Sequence, residues 1–207
     1  MDAKTVFFDV LKAEFAPKLR DLGFSGTGKH FRRINGEIIN ALNIQGNKYG
    51  DSCAVNLGLH LTFLPVNWCN ALPDARKINE IDCEFRTRLS PDMKSDYWWK
   101  YGGLLDSPTK SARHLIATYL EYGEPYFRQY DCIEKIASMI SVDEIKRGAY
   151  LHNFGGITDV RAALTMARIH VHLGNVIEGK QFAAAGLANI GGATLLRREF
   201  ESILAIA

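Results

Sequence analysis

Residues 29–63 read KHFRRINGEIINALNIQGNKYGDSCAVNLGLHLTF, and their periodicity decides the fold. From Cys53 onward apolar residues take every second position. Cys53, Val55, Leu57, Leu59, Leu61 and Phe63 share one face, and Ala54, Asn56, Gly58, His60 and Thr62 share the other. This two-residue repeat is that of a half-buried strand, which Pro65 ends. Upstream, Asn35-Gly36 stands between two apolar runs, the signature of a type I′ hairpin turn. It predicts strands over 29–34 and 37–45, with a second turn at 46–52. Downstream, 81–89 alternates again, with Ile81, Cys83, Phe85, Thr87 and Leu89 on one side and Asp82, Glu84, Arg86 and Arg88 on the other. Four strands connected in this order form an antiparallel meander.

The flanks supply the helices. Phe7, Leu11, Phe15 and Leu19 recur at four-residue spacing, which predicts an amphipathic helix over 4–22 closed by Gly23. Such a helix can cover the apolar face of the sheet. After Ser90-Pro91 and Trp98-Trp99 the period becomes helical. Ser107-Pro108 opens a helix over 108–122. Others are expected at 124–140, 142–150, 158–173, 175–189 and 193–205. The expected fold class is therefore α+β: an N-terminal helix packed on a four-stranded antiparallel sheet (1–100), then an all-helical C-terminal lobe (101–207) packed on it as one compact unit. Ala163, Ala167, His170 and Leu173-Gly174, followed by Phe182, Ala185 and Leu187, resemble one tetratricopeptide hairpin. No second copy follows at a fixed period, so an ordinary helical hairpin is the expectation.

Composition excludes several function classes. The 207 residues carry 25 Lys and Arg against 23 Asp and Glu, a net charge of +2, which argues against nucleic acid as a partner. Asp2, Asp9 and Glu14 interrupt the N-terminal apolar residues, so no secretory core is expected. No apolar run reaches the length of about 18 residues that a membrane-spanning helix needs. Cys53, Cys69, Cys83 and Cys132 are widely spaced without a C-x-x-C pair, which suits reduced thiols in a cytoplasmic protein.

Motifs for chemistry are weak. Gly23 to Lys29 matches the spacing of a phosphate-binding P-loop, but His30 replaces the required hydroxyl residue. A helix precedes it and a strand follows, the reverse of the P-loop context. His170 and His172 sit two apart on a predicted helix, about 200° apart around its axis, and cannot share a metal. No nucleophile elbow is present. Neither catalytic residues, a metal nor a cofactor is expected.

The suggestive feature is the polar face of the sheet. Arg32, Asn56, His60, Arg86 and Arg88 fall there, with Arg33 taking the place of Arg32 if the register shifts by one. Gly58 opens the backbone to close approach. Trp98 and Trp99, with Tyr101, form an aromatic cluster just after the sheet, which serves either as packing in the core or between lobes or as an exposed anchor for a partner. Arg32, Asn56, His60, Arg86, Arg88, Trp98 and Trp99 are the candidate binding surface. They serve one of two readings: contact with a protein partner, or capture of a small anionic ligand by Arg32, Arg86 and Arg88 with His60 as an acid–base group. A solvated face with cross-strand Glu–Arg pairs is the structural alternative.

Gly23-Phe24, Phe31-Arg32-Arg33, Asn43-Ile44-Gln45 and Val55-Asn56-Leu57-Gly58 together resemble an uncharacterised bacterial domain-of-unknown-function family over about residues 5–100. The resemblance implies the α+β fold and carries no mechanism. By analogy with small accessory and immunity proteins, a non-enzymatic protein-binding module is the leading functional expectation.

Overall fold

The computed structural model describes residues 2–66, 71–102, 107–148 and 157–207. Contacts divide the chain into two compact units, 1–129 and 130–207.

The first unit holds the sheet. Strands β1 (Ser25–Thr27), β2 (His30–Asn35), β3 (Ile38–Gly46), β4 (Ser52–Leu61) and β5 (Phe85–Arg88) lie side by side in chain order, all antiparallel. A sixth strand, β6 (Trp99–Lys100), pairs with the start of β4. The expected meander is present, extended by two short strands too brief to carry a readable period.

Two local expectations are corrected. Asn35 pairs with Ile38, so the turn residues are Gly36 and Glu37. Gly36 has φ +56°, while Asn35 and Glu37 do not adopt positive φ. This is the type II′ pattern, with glycine at the first central position, and not the expected type I′ turn on Asn35-Gly36. The strand expected over 81–89 begins only at Phe85. Asn79 and Asp82 form a reciprocal capping box that winds Glu80–Asp82 into a 3₁₀ turn. Ile81 is thereby turned outward, 67% exposed, and Cys83 lands on the opposite side of the sheet from Leu57.

The N-terminal helix is one rod of three parts: α1 (Ala3–Val10), a π-helical turn (Leu11–Phe15) and α2 (Ala16–Asp21). Pro17 has no N–H and its ring crowds the carbonyl four residues back. The chain responds by widening the turn, and the Ala16 N–H donates to the Leu11 carbonyl, five residues back. The widening also aligns the apolar ladder. Residues four apart drift about 40° per step around a regular α-helix. Unwinding at Leu11–Phe15 cancels part of that drift, so Phe7, Leu11, Phe15 and Leu19 all face inward and are at most 4% exposed. They pack on Phe31, Leu42, Ile44, Val55 and Leu57 of the sheet. Each such buried side chain contributes about 1.5–3 kcal/mol. Gly23, at φ +86°, closes the rod, and the Phe24 N–H donates back to the Leu19 carbonyl.

The same device recurs. Helix α3 (Pro108–Thr118) passes through a π-helical turn (Tyr119–Gly123) into α4 (Glu124–Gln129), with Pro125 two residues past the turn as Pro17 is past the first. Leu115, Tyr119, Gly123 and Phe127 form a second buried four-residue ladder. The two π turns touch where Phe15 meets Tyr119 edge to face, ring centroids 5.2 Å apart. Because α3 and α4 complete this core, the division between units falls after Gln129, where the sequence reading placed it at residue 100.

The second unit is helical: α5 (Ile133–Ala137), α6 (Val142–Lys146), α7 (Asp159–His172), α8 (Val176–Ala188) and α9 (Arg197–Leu204). Thr158 caps α7 by accepting the Arg161 N–H. A Cβ on Gly186 of α8 would lie 2.5 Å from the Phe200 ring and 2.9 Å from the Ala163 Cβ. Glycine therefore permits the close packing of α7, α8 and α9. Among the described residues no helix is long and apolar enough to cross a membrane.

Candidate functional site

Strand pairing brings the expected residues onto one face in two cross-strand rows. Arg32, Ala41, Gly58 and Arg86 form one row, and His30, Asn43, Asn56 and Arg88 the next. The face is not open along its length. Residues 64–66 and 77–84 form a cover over the first row, and their Val66, Ile78 and Cys83 form a small apolar core with Ile39 and Ala41.

That cover absorbs several candidates. Arg32 donates to the carbonyls of Ile78 and Lys77 and, at 2.8 Å, to Asn79 Oδ1, so its guanidinium stitches the cover to β2. His60 is fully buried. The backbone N–H of Glu84 donates to its Nδ1 at 3.0 Å, which leaves the ring proton on Nε2, facing the Leu64 carbonyl at 3.0 Å. Both ring nitrogens are occupied by backbone, so His60 presents neither a base nor an acid to a ligand. Gly58 does admit a close neighbour: a Cβ there would lie 2.8 Å from Cys83 Sγ and 2.9 Å from the Glu80 Cα. The cover itself makes that approach. Arg86 is half-buried in the same row.

In the second row Asn43 is buried, His30 is exposed, and Asn56 and Arg88 are half-buried. Arg88 donates Nε–H to Asn56 Oδ1 (3.1 Å), Nη1–H to Asp96 Oδ1 (2.7 Å) and Nη2–H to Gln45 Oε1 (3.2 Å). Asn56 Nδ2 donates to the same Gln45 oxygen at 2.9 Å. The Trp98 ring lies 5.2 Å from the guanidinium carbon, and its indole N–H donates to Asp96 Oδ2. Partial burial works against charge on Asp96, but the bonds from Arg88 and Trp98 and the Arg88 charge hold its carboxyl below the usual range. An exposed pair of this kind is worth at most about 1 kcal/mol to stability. Its effect is to fix the orientation of the arginine and the tryptophan.

Trp99 belongs elsewhere. It is 1% exposed on the helix-covered side of the sheet and donates its indole N–H to His114 Nδ1 at 3.0 Å. Of the seven candidates, Asn56, Arg88 and Trp98 meet in one accessible cluster. Arg32 and His60 are held under the cover, Arg86 lies beside them, and Trp99 is core.

Sequence reasoning missed a polar node inside the first core. Arg33 Nη1 donates to Glu124 Oε1 at 2.9 Å and to the Leu22 carbonyl, while its Nε–H reaches Asn40 Oδ1. Tyr119 and Arg128 also donate to Glu124. The Arg33 guanidinium sits 4.6 Å from the Phe24 ring centroid. Burial, followed by the Glu124 charge, pushes the Tyr119 hydroxyl far above its usual range. With its oxygens taken by three donors, Glu124 is a structural node tying β2 to α4. The available signal was Arg33 itself, which alternation places on the same face as Phe31. Among the described residues no group of three or more His, Cys, Asp or Glu side chains could hold a metal ion.

An antiparallel sheet backed by two π-bulged helices, with an organised polar cluster at one end of its other face, defines an α+β domain continued by a helical unit. The chain belongs to the family described as a domain of unknown function, DUF4304, whose model matches residues 15–129. The resemblance to a family of unknown function is borne out, and the match extends past the sheet to Gln129, the last residue of the first unit. No curated protein and no solved structure matches the chain.

Proposed function

We propose that the protein is a non-enzymatic binding module, of the accessory or immunity-like kind, that engages a protein partner through Gln45, Asn56, Arg88 and Trp98. The observation that carries this reading is the state of Arg88. Three of its five N–H donors are bonded within the cluster, and among the described residues one hydrogen on each terminal nitrogen is left to meet an incoming carbonyl or carboxylate. Trp98 lies against the guanidinium, so arginine and aromatic are ordered before any partner arrives. Pre-organised Arg and Trp side chains are the commonest anchors of protein interfaces. The rival reading, a small anion gripped by several sheet-face arginines with His60 as acid–base group, loses its support because Arg32 and His60 are committed to the cover.

The test is co-purification from the native host, followed by reconstitution with the partner recovered. Arg88→Ala and Trp98→Ala are each expected to weaken the reconstituted complex at least tenfold while leaving the melting temperature within about 2 °C. Affinity unchanged in both variants overturns the assignment.

A further inference from the structure

On the helix-covered side of the first unit, a pocket of about 400 Å³ opens between the N-terminal rod and the β1–β2 hairpin. Its size falls in the range of small-molecule sites. The walls are Phe8, Leu11, Phe15, Phe31 and Ile44, all apolar. It forms where the π turn Leu11–Phe15 passes the hairpin, and π-helical turns recur at functional sites. The lip on the sheet side is Thr27 and Gly28, both exposed, and nothing lies within 4 Å of where a Gly28 Cβ would stand.

Charge at the rim is one-sided. Lys12 and Arg20 stand on the helical side, against one carboxylate, Asp9. A neutral apolar ligand has no use for two cations, and an inorganic anion has no use for five apolar walls. We infer that this pocket is a binding site for an amphipathic carboxylate, with an unbranched alkyl or aryl-alkyl body inside and its carboxylate at the Lys12–Arg20 rim. The site is independent of the Arg88 cluster, which lies on the opposite face of the sheet, and it stands or falls separately from the protein-binding proposal.

The experiment is calorimetric titration of the full chain with hexanoate, octanoate and decanoate, each below its micellar concentration, and with 1-octanol as the neutral counterpart. Saturable one-to-one binding is expected, tightening about fourfold per added methylene until the pocket is filled. The double variant Lys12→Glu, Arg20→Glu, at two exposed helix positions, should weaken octanoate at least tenfold and leave 1-octanol unchanged. Thr27→Trp, at the exposed lip, should abolish binding of both, with circular dichroism confirming the fold. Absence of saturable binding overturns the inference, as does affinity indifferent to chain length, an unaffected Thr27→Trp variant, or equal loss of octanoate and octanol in the charge variant. A concentration-dependent dimer dispersed by Thr27→Trp also overturns it, by assigning the pocket to self-association.

Discussion

Arg33 and Glu124 show how much one buried pair commits. Their side chains are 17% and 6% exposed, and the pair is closed by Tyr119, Asn40 and the Leu22 carbonyl. Removing one partner strands the other without water. Glu124→Leu is expected to cost about 3–5 kcal/mol in urea unfolding, whereas Arg33→Met with Glu124→Leu should recover most of that loss. A double variant no better than the single one would show that the pair is not coupled. The thiols make a second case. Burial pushes Cys53 up to about 12 and Cys83 higher still. The unfolded chain releases these protons near the ordinary value of 9, and the folded chain holds them. Their contribution is thus complete below pH 9 and is lost as pH rises from 9 through about 12. Tyr119, also raised by burial, acts in the same direction. Urea stability should therefore fall between pH 8 and pH 10.5, and iodoacetamide should leave Cys53 and Cys83 unmodified in the folded protein at pH 8. Equal stability at both pH values would contradict this account.

Among the helices, the two π turns carry the most information. Their signals were in the sequence: prolines at 17 and 125, and apolar ladders at strict four-residue spacing. Read as a regular amphipathic helix, the first ladder predicts the correct rod and the wrong winding, because a spacing of 4.0 over three steps does not fit a helix of 3.6 residues per turn. Gly123 belongs to the second ladder. Replacing a helical glycine by alanine ordinarily stabilises by up to about 1 kcal/mol. Here a Cβ would lie 2.6 Å from the Tyr119 ring and 3.3 Å from Leu89, at a buried position. Gly123→Ala is expected to destabilise by about 1–3 kcal/mol. Thermal unfolding checks the sign, and a stabilised variant would mean that the Tyr119 ring is free to move. The segment 81–84 failed for a different reason. Its alternation was genuine, but the Asn79–Asp82 capping box competes locally for the same backbone and wins.

The family match and the first compact unit end at the same residue, Gln129. A chain cut there keeps both helical rods, the sheet and the Arg33–Glu124 pair. Residues 1–129 alone are expected to unfold cooperatively, with the near-ultraviolet signal of packed aromatics, whereas residues 1–100 should not, because they lack Leu115, Tyr119 and Phe127 from the core. A cooperative 1–100 fragment would restore the boundary read from the sequence.

The helix expected over 124–140 breaks between Gln129 and Ile133. The α+β class, the antiparallel order of the central strands, the N-terminal rod with its Gly23 stop, the Thr158-capped helix α7 with its neighbour α8, and the family resemblance were legible along the chain. Each rests on local periodicity or on a turn residue whose backbone preference acts within a few positions. Which polar residues are accessible depended on contacts between distant parts of the chain. Arg32, His60 and Arg88 alternate onto the same face and look alike in sequence. Whether a guanidinium meets solvent or a carbonyl depends on a segment more than forty residues away folding back over one row and leaving the next uncovered. The pocket beside the N-terminal rod was hidden for the same reason: its walls come from a helix and from strands that meet only after folding, and no period along the chain records the space between them.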